Sequence, residues 1–171
     1  KGTTIEVRNL FYNVPARKKF LKKDATELAE IVKVVGRFIV SSPSVEFKLT
    51  HDGRMLFHAP RSMDMIDRIG LVLGGGLSEN MIKVSTNVDK YQIDGFVSPP
   101  ASTRKDKQSQ MFFLNNRYVR SRLLSDAVYD AYRSLLERGR YPAAVIFLTT
   151  PPEEVDVNVH PNKKEVRITR E

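Results

Sequence analysis

The sequence has no cysteine and no tryptophan. Without cysteine there is neither a disulfide framework nor a thiolate metal site. The fold must be held by packing alone, for which 171 residues suffice. No run approaches the roughly 18 apolar residues that a membrane-spanning helix needs, and no secretory leader pattern is present. These absences predict an intracellular protein with no membrane partner. The three histidines, His51, His58 and His160, fall in no metal-ligand spacing with acids, so no metal site is expected. No Ser-His-acid set or paired-carboxylate site can be assembled either. Phe112 and Phe113 look like core and its neighbour, and most phenylalanines look buried, which argues against a stacking platform for single-stranded nucleic acid.

Acidic residues are the scarcer charge. Lys and Arg number 28 against 20 Asp and Glu, a formal net charge of +8. Such an excess steers a protein toward polyanions. Much of it is concentrated in RKKFLKK (17–23), in Arg104, Lys105, Lys107, Arg117, Arg120 and Arg122, and in the last eight residues. The middle group carries Arg117, Arg120 and Arg122 around an Asn-Asn turn, with Arg104, Lys105 and Lys107 in a preceding polar loop. These six are the candidates for contact with a nucleic-acid backbone, a contact that is electrostatic and blind to base sequence.

Periodicity predicts an α/β protein, a mixed sheet with helices on one side. Residues 3–11 alternate like a strand. Pro15 suits the first turn of a helix capped by Asn13 or Val14, and Asp24 with Glu27 resembles a capping box for a second helix. Leu28, Ile31, Val32, Val35, Phe38 and Ile39 form its apolar stripe, stopped by Ser41, Ser42 and Pro43. Asp52-Gly53 predicts a tight hairpin. A helix over 63–73 with Ser62 at its cap ends in three glycines (74–76). That triplet follows a helix and precedes no Lys-Ser/Thr pair, so it is a stop and not a phosphate loop. Strands follow from about Ile82 and over 91–97, then a mobile polar loop (101–110), a hairpin turning at Asn115-Asn116, and a helix over 123–138 stopped by Gly139. Residues 143–148 are apolar on both faces and predict a central strand. The helix before it implies a crossover, for which a right hand is the default. A joint between two domains is expected within 50–75.

The chain then runs through DVNVHPNKKEVRI (156–168). Alternating valines precede a His-Pro turn, and a short strand follows it. Pro161 stiffens the approach to Lys163. A lysine on a stiff turn can donate three charge-assisted hydrogen bonds to a terminal phosphate; a solvated basic turn is the other reading, and Lys164 competes for the role. By composition, His160 packs or makes a hydrogen bond. Gly2-Thr3 precedes the first strand pattern, where Thr3 either positions a hydroxyl on a ligand or serves strand propensity alone.

Three blocks, GTTIEVRNLFYNVPARKKFL (2–21), FFLNNRYVRSRLLSDAVYDAY (112–132) and DVNVHPNKKEVRI (156–168), resemble segments of the MutL-type DNA mismatch repair proteins in that family's order. These are relatives of the gyrase, Hsp90 and histidine kinase ATPases. The resemblance implies that residues 1–60 are the C-terminal part of a Bergerat-type ATPase domain. It implies that residues 65–171 are a transducer domain like the second domain of ribosomal protein S5, a fold with an unusual left-handed crossover.

It further implies that Lys163 contacts the terminal phosphate of ATP, that Gly2 and Thr3 help hold the adenine end, and that Asn158, His160 and Pro161 frame the turn. The position between Pro161 and Lys163 departs from the family's usual small residue. The family's catalytic glutamate, magnesium-binding asparagine and glycine-rich lid would precede Lys1, so the chain reads as a fragment that does not itself hydrolyse ATP. ATP and Mg2+ are the implied cofactors of the parent. The implied partners are DNA, a MutS-type mismatch recognition protein, and a second MutL-type subunit, identical or different. The location is the cytoplasm for a bacterial source and the nucleus for a eukaryotic one. Two alternatives remain at this point: a basic DNA-binding module without nucleotide chemistry, and the transducer of a type II topoisomerase.

Overall fold

The computed structural model describes residues 2–152, 155–156 and 167–168. The chain divides into two compact units, residues 1–34 and 35–171.

In the first unit, the alternation over 3–11 does not become a strand. Ile5 and Val7 are exposed, and no described segment pairs with them. A strand without a neighbour leaves its backbone groups to water and gains nothing from alternation. Its end is a turn in which Asn9 and Phe11 take left-handed φ values of 50° and 63°, with Tyr12 N–H donating to the Asn9 carbonyl. Helix α1 (Pro15–Lys18) then starts at its proline with Val14 as cap. Helix α2 (Asp24–Ser41) begins in this unit. Glu27 accepts the Lys22 N–H at 2.8 Å, so the expected acidic cap is made by Glu27 reaching back beyond Asp24.

In the second unit, the end of α2 buries Gly36, Ile39 and Val40. Phe38, expected in the inward stripe, is exposed, because the buried face lies along Gly36 and Val40 instead. Gly36 lets α2 approach closely: a Cβ there would lie 2.8 Å from Val72 Cγ1. Strands β1 (Phe47–His51) and β2 (Arg54–Ala59) pair antiparallel through Asp52-Gly53, both at left-handed φ. That is the primed turn which the Asp-Gly pair favours. Helix α3 (Met65–Leu73) follows, then a single turn, α4 (Gly75–Ser78). The cap of α3 is Asp64, two residues later than the expected Ser62, and its side chain makes no capping bond.

The main sheet has the order β3-β4-β9-β6-β7. Strands β3 (Ile82–Val88) and β4 (Tyr91–Val97) form a hairpin. A two-residue strand, β5 (Thr103–Arg104), interrupts the polar stretch expected to be a loop. Strands β6 (Gln110–Leu114) and β7 (Arg117–Val119) turn at Asn115-Asn116, both at left-handed φ. Helix α5 (Arg122–Tyr132) is capped by Ser121, whose hydroxyl accepts the Leu124 N–H. It stops six residues short of the expected end. Leu135 is exposed and gains no packing there. Strand β8 (Tyr141–Pro142) pairs with β5.

Strand β9 (Ala144–Thr149) lies between β4, antiparallel, and β6, parallel, as a centrally placed apolar strand should. Strands β10 (Val155–Asp156) and β11 (Arg167–Ile168) pair antiparallel.

The sheet is mixed and flanked by helices, but on both faces and not on one. Met111, Phe113 and Val145 pack with Val40 of α2 and Ile69 of α3. Phe112, Leu114 and Leu148 pack on the other face with Leu124 and Val128 of α5. Strand alternation divides the neighbouring residues of β6 and β9 between the two clusters. Arg68 is also fully buried, and its guanidinium donates to the carbonyls of Ile39 (3.0 Å), Val45 (3.3 Å), Pro60 (2.6 Å) and Met63 (3.2 Å).

Candidate nucleotide and nucleic-acid residues

The two sets of candidate residues differ in what surrounds them. Gly2 and Thr3 are exposed and lie in no helix or strand. A Cβ added at Gly2 would meet nothing within 4 Å. The described residues therefore form no closed nucleotide cradle around them. Asn158, His160, Pro161, Lys163 and Lys164 lie outside the described residues; strands β10 and β11 flank that stretch in sequence.

The basic candidates are all described. Arg117 opens β7 opposite Leu114, at the hairpin tip, and is exposed. The left-handed Asn115 and Asn116 place it there, and Asn115 locks the tip to the end of β9. The Asn115 Nδ2 donates to the Thr150 carbonyl, and Thr150 N–H donates to Asn115 Oδ1, both at 3.0 Å. Arg120 follows β7 and Arg122 begins α5, both exposed. Arg117 and Arg120 are three residues apart along an extended segment, a rise of about 10 Å.

Arg104 lies on β5 beside Tyr141 of β8, and Lys105 is exposed next to it. Arg140 holds this corner: its guanidinium donates to the Thr103 hydroxyl at 2.9 Å and to the Thr103 carbonyl at 3.1 Å. Lys107 reaches α5, donating to Asp126 Oδ1 at 3.1 Å, while its ammonium sits 5.4 Å from the centre of the Tyr141 ring. Arg122, one helical turn before Asp126, approaches the other carboxylate oxygen at 3.4 Å. The structure thus brings Lys107 and Arg122 onto one carboxylate. The Lys107 hydrogen bond holds the Asp126 carboxyl below the ordinary aspartate range; desolvation opposes it, and the charges of Lys107 and Arg122 add to the lowering.

Sequence reading missed Asp126, Arg140 and Asn115 as parts of this arrangement. Asp126 had a local signal in its four-residue spacing from Arg122, and Asn115 was legible as a turn residue but not as a lock. Arg140 and Asn115 act across separations of more than 30 residues. Among the described residues no group of acids and histidines could hold a metal ion, and no helix is long and apolar enough to cross a membrane.

Comparison with known proteins fits this architecture. Residues 69–171 match the family described as DNA mismatch repair protein, C-terminal domain. The chain is 43% identical over 171 residues to the DNA mismatch repair protein MutL of Pelodictyon phaeoclathratiforme, covering all of this chain and 27% of that protein. It is 44% identical over 170 residues to MutL of Chlorobaculum tepidum, with 99% and 27% covered. The chain therefore spans about a quarter of the length of these relatives.

Among solved structures, the fold is similar to the N-terminal domain of a DNA repair protein (TM-score 0.75, 22% identity, 92% of this chain and 53% of that one). It is also similar to the Aquifex aeolicus MutL ATPase domain complexed with ADP (TM-score 0.63, 24% identity, 85% and 52%). Fold, family match and relatives agree: the chain belongs to the MutL family of DNA mismatch repair proteins.

Proposed function

We propose that this chain is the part of an ATP-dependent mismatch repair protein that senses the terminal phosphate and passes its presence to DNA and partner surfaces. Residues 1–60 act as the end of the ATPase domain and residues 65–171 as the transducer. Lys163 brings its ammonium to the outermost phosphate, and Gly2 and Thr3 help hold the adenine end. Asn158, His160 and Pro161 keep the turn in shape. ATP with Mg2+, when bound to the parent protein, supplies the phosphoryl group whose presence Lys163 reports. The ammonium neutralises peripheral phosphate oxygens. The parent then closes its domains, pairs with a second MutL-type subunit, identical or different, and engages a MutS-type protein. It works in the cytoplasm of a bacterium or the nucleus of a eukaryote. Arg104, Lys105, Lys107, Arg117, Arg120 and Arg122 meet the DNA backbone without reading its sequence.

The observation that carries this reading is the sequence HPNKK (160–164), set between strands β10 and β11 that pair with each other, in a chain of this family. The test is Lys163→Ala in the full-length protein. ATP turnover falls about 10²–10³-fold, of the order seen when one transition-state donor is removed, while the thermal midpoint is retained. Unchanged turnover would remove the assigned role.

A further inference from the structure

The basic corner carries its own counter-charge. Resting on the reading of the 104–122 face as a DNA-backbone contact, we propose that Asp126 occupies, within the chain, a phosphate position between Lys107 and Arg122, which duplex DNA must take from it.

The geometry is that of an anion held between two cations. Lys107 contacts Oδ1 at 3.1 Å and Arg122 contacts Oδ2 at 3.4 Å, one cation to each oxygen. A phosphodiester offers two non-bridging oxygens to the same pair. The cations come from elements far apart in sequence, the turn after β5 and the first residue of α5. Lys107 is held from both sides, by Asp126 and by the Tyr141 ring. Its backbone is also fixed, because the Gln110 N–H donates to the Lys107 carbonyl. Lys107 is therefore set in place before any ligand arrives. Arg122 is freer: its side chain is 94% exposed, so it can turn from the carboxylate to a phosphate at little cost. Arg104, Lys105 and Arg120, all exposed, lie within three residues of Lys107 or Arg122 in sequence and add to the positive charge of these segments. Like any aspartate whose pKa is not raised, Asp126 is charged at neutral pH and therefore competes for the two cations.

The consequence is a tempered affinity. When a phosphate displaces Asp126, the freed carboxylate recruits a cation from solution. That uptake cancels part of the counterion release that drives binding. Removing the carboxylate charge strengthens binding by about 2–5-fold, the size of an exposed ion pair. It also steepens the dependence of log K on log salt by about one.

The experiment titrates the full-length protein with a fluorescent duplex of random sequence at several salt concentrations. It compares wild type, Asp126→Asn, Lys107→Gln/Arg122→Gln and the triple variant. Asp126→Asn binds more tightly and with the steeper slope, and this gain vanishes in the triple variant relative to the double. A gain of the same size with and without Lys107 and Arg122 would show only a general loss of negative charge and overturn the proposal. So would wild-type affinity for Asp126→Asn. If wild type itself binds no duplex at low salt, the reading of the face as a DNA contact fails, and the proposal fails with it. Urea midpoints of all four proteins separate these outcomes from unfolding.

Discussion

Arg68 and Arg122 each lie on a helix and each add one unit to the same formal charge, yet they do opposite work. Arg68 is fully buried on α3, and its guanidinium gathers four backbone carbonyls from the end of α2, the hairpin region and its own approach. Arg122 is almost fully exposed on α5 and touches one carboxylate at 3.4 Å. A buried charge is tolerated only when its donors are satisfied, so Arg68 is committed to architecture. An exposed one stays hydrated and can exchange partners with little change in free energy, so Arg122 is available to a ligand. Net charge counts the two alike; burial separates them.

The comparison is broken most severely by Arg68→Ala. Four carbonyls would lose the guanidinium donor, with that of Pro60 keeping the Met63 N–H, and the side-chain volume would be left empty. The expected cost is about 3–5 kcal/mol, the scale of removing half of a buried charge pair. Urea unfolding of the purified chain measures it. Arg68→Lys restores little, because an ammonium has no planar fork to spread over acceptors on several sides. A loss below about 1 kcal/mol for Arg68→Ala would mean that water replaces the guanidinium and that burial does not separate the two arginines.

The same contrast explains what the sequence made legible. Local signals held. Asp52-Gly53 and Asn115-Asn116 turn their hairpins at left-handed φ, Pro15 opens a helix, and residues 144–149 form a central strand. Each is decided by one or two residues or by an apolar run. What depended on a distant partner was lost. Residues 3–11 alternate as well as β4 does, but β4 has neighbours on both sides and 3–11 have none among the described residues. The sequence order suggested a layer fold with helices on one side of the sheet. Which face of the sheet each covers is set by β6 and β9 dividing their side chains between two clusters. Arg68 drew no reading from the sequence, although it falls in the spacing 65, 68, 69, 72 of an inward helix face. Of the candidate site, the basic loop and hairpin were legible as charge. The carboxylate that organises Lys107 and Arg122 was not, because Lys107 and Asp126 meet only in the fold.

A middle case sharpens the comparison. Asn115 is exposed, but its amide exchanges two hydrogen bonds with the backbone of Thr150, and its own N–H donates to the Leu148 carbonyl at 2.9 Å. Asn115→Ala removes the two amide bonds and places alanine at a φ of 47°, for an expected loss of about 1–2 kcal/mol. Asn116 makes the same turn at φ 64°, and Asn116→Gly, which suits the second turn position better, leaves stability unchanged or slightly raised. A loss for Asn115→Ala no larger than that for Asn116→Gly in urea unfolding would show that the Thr150 lock contributes nothing.

The smallest effect is expected at Arg122 itself. Arg122→Ala removes an exposed partner of Asp126 while Lys107 keeps its shorter contact with the other oxygen, so the urea midpoint at neutral pH stays at the wild-type value. Acid sharpens the point. The folded-state pKa of Asp126 is lowered, so whatever its ion pairs contribute is present above the ordinary aspartate range. That contribution is lost as pH falls through the lowered value. A difference between wild type and Arg122→Ala must therefore shrink on acidification, never grow. A midpoint shift at neutral pH approaching that of Arg68→Ala would place Arg122 among the architectural charges. The phosphate-exchange role would then fall, because a side chain the fold depends on is not free to leave its carboxylate for DNA.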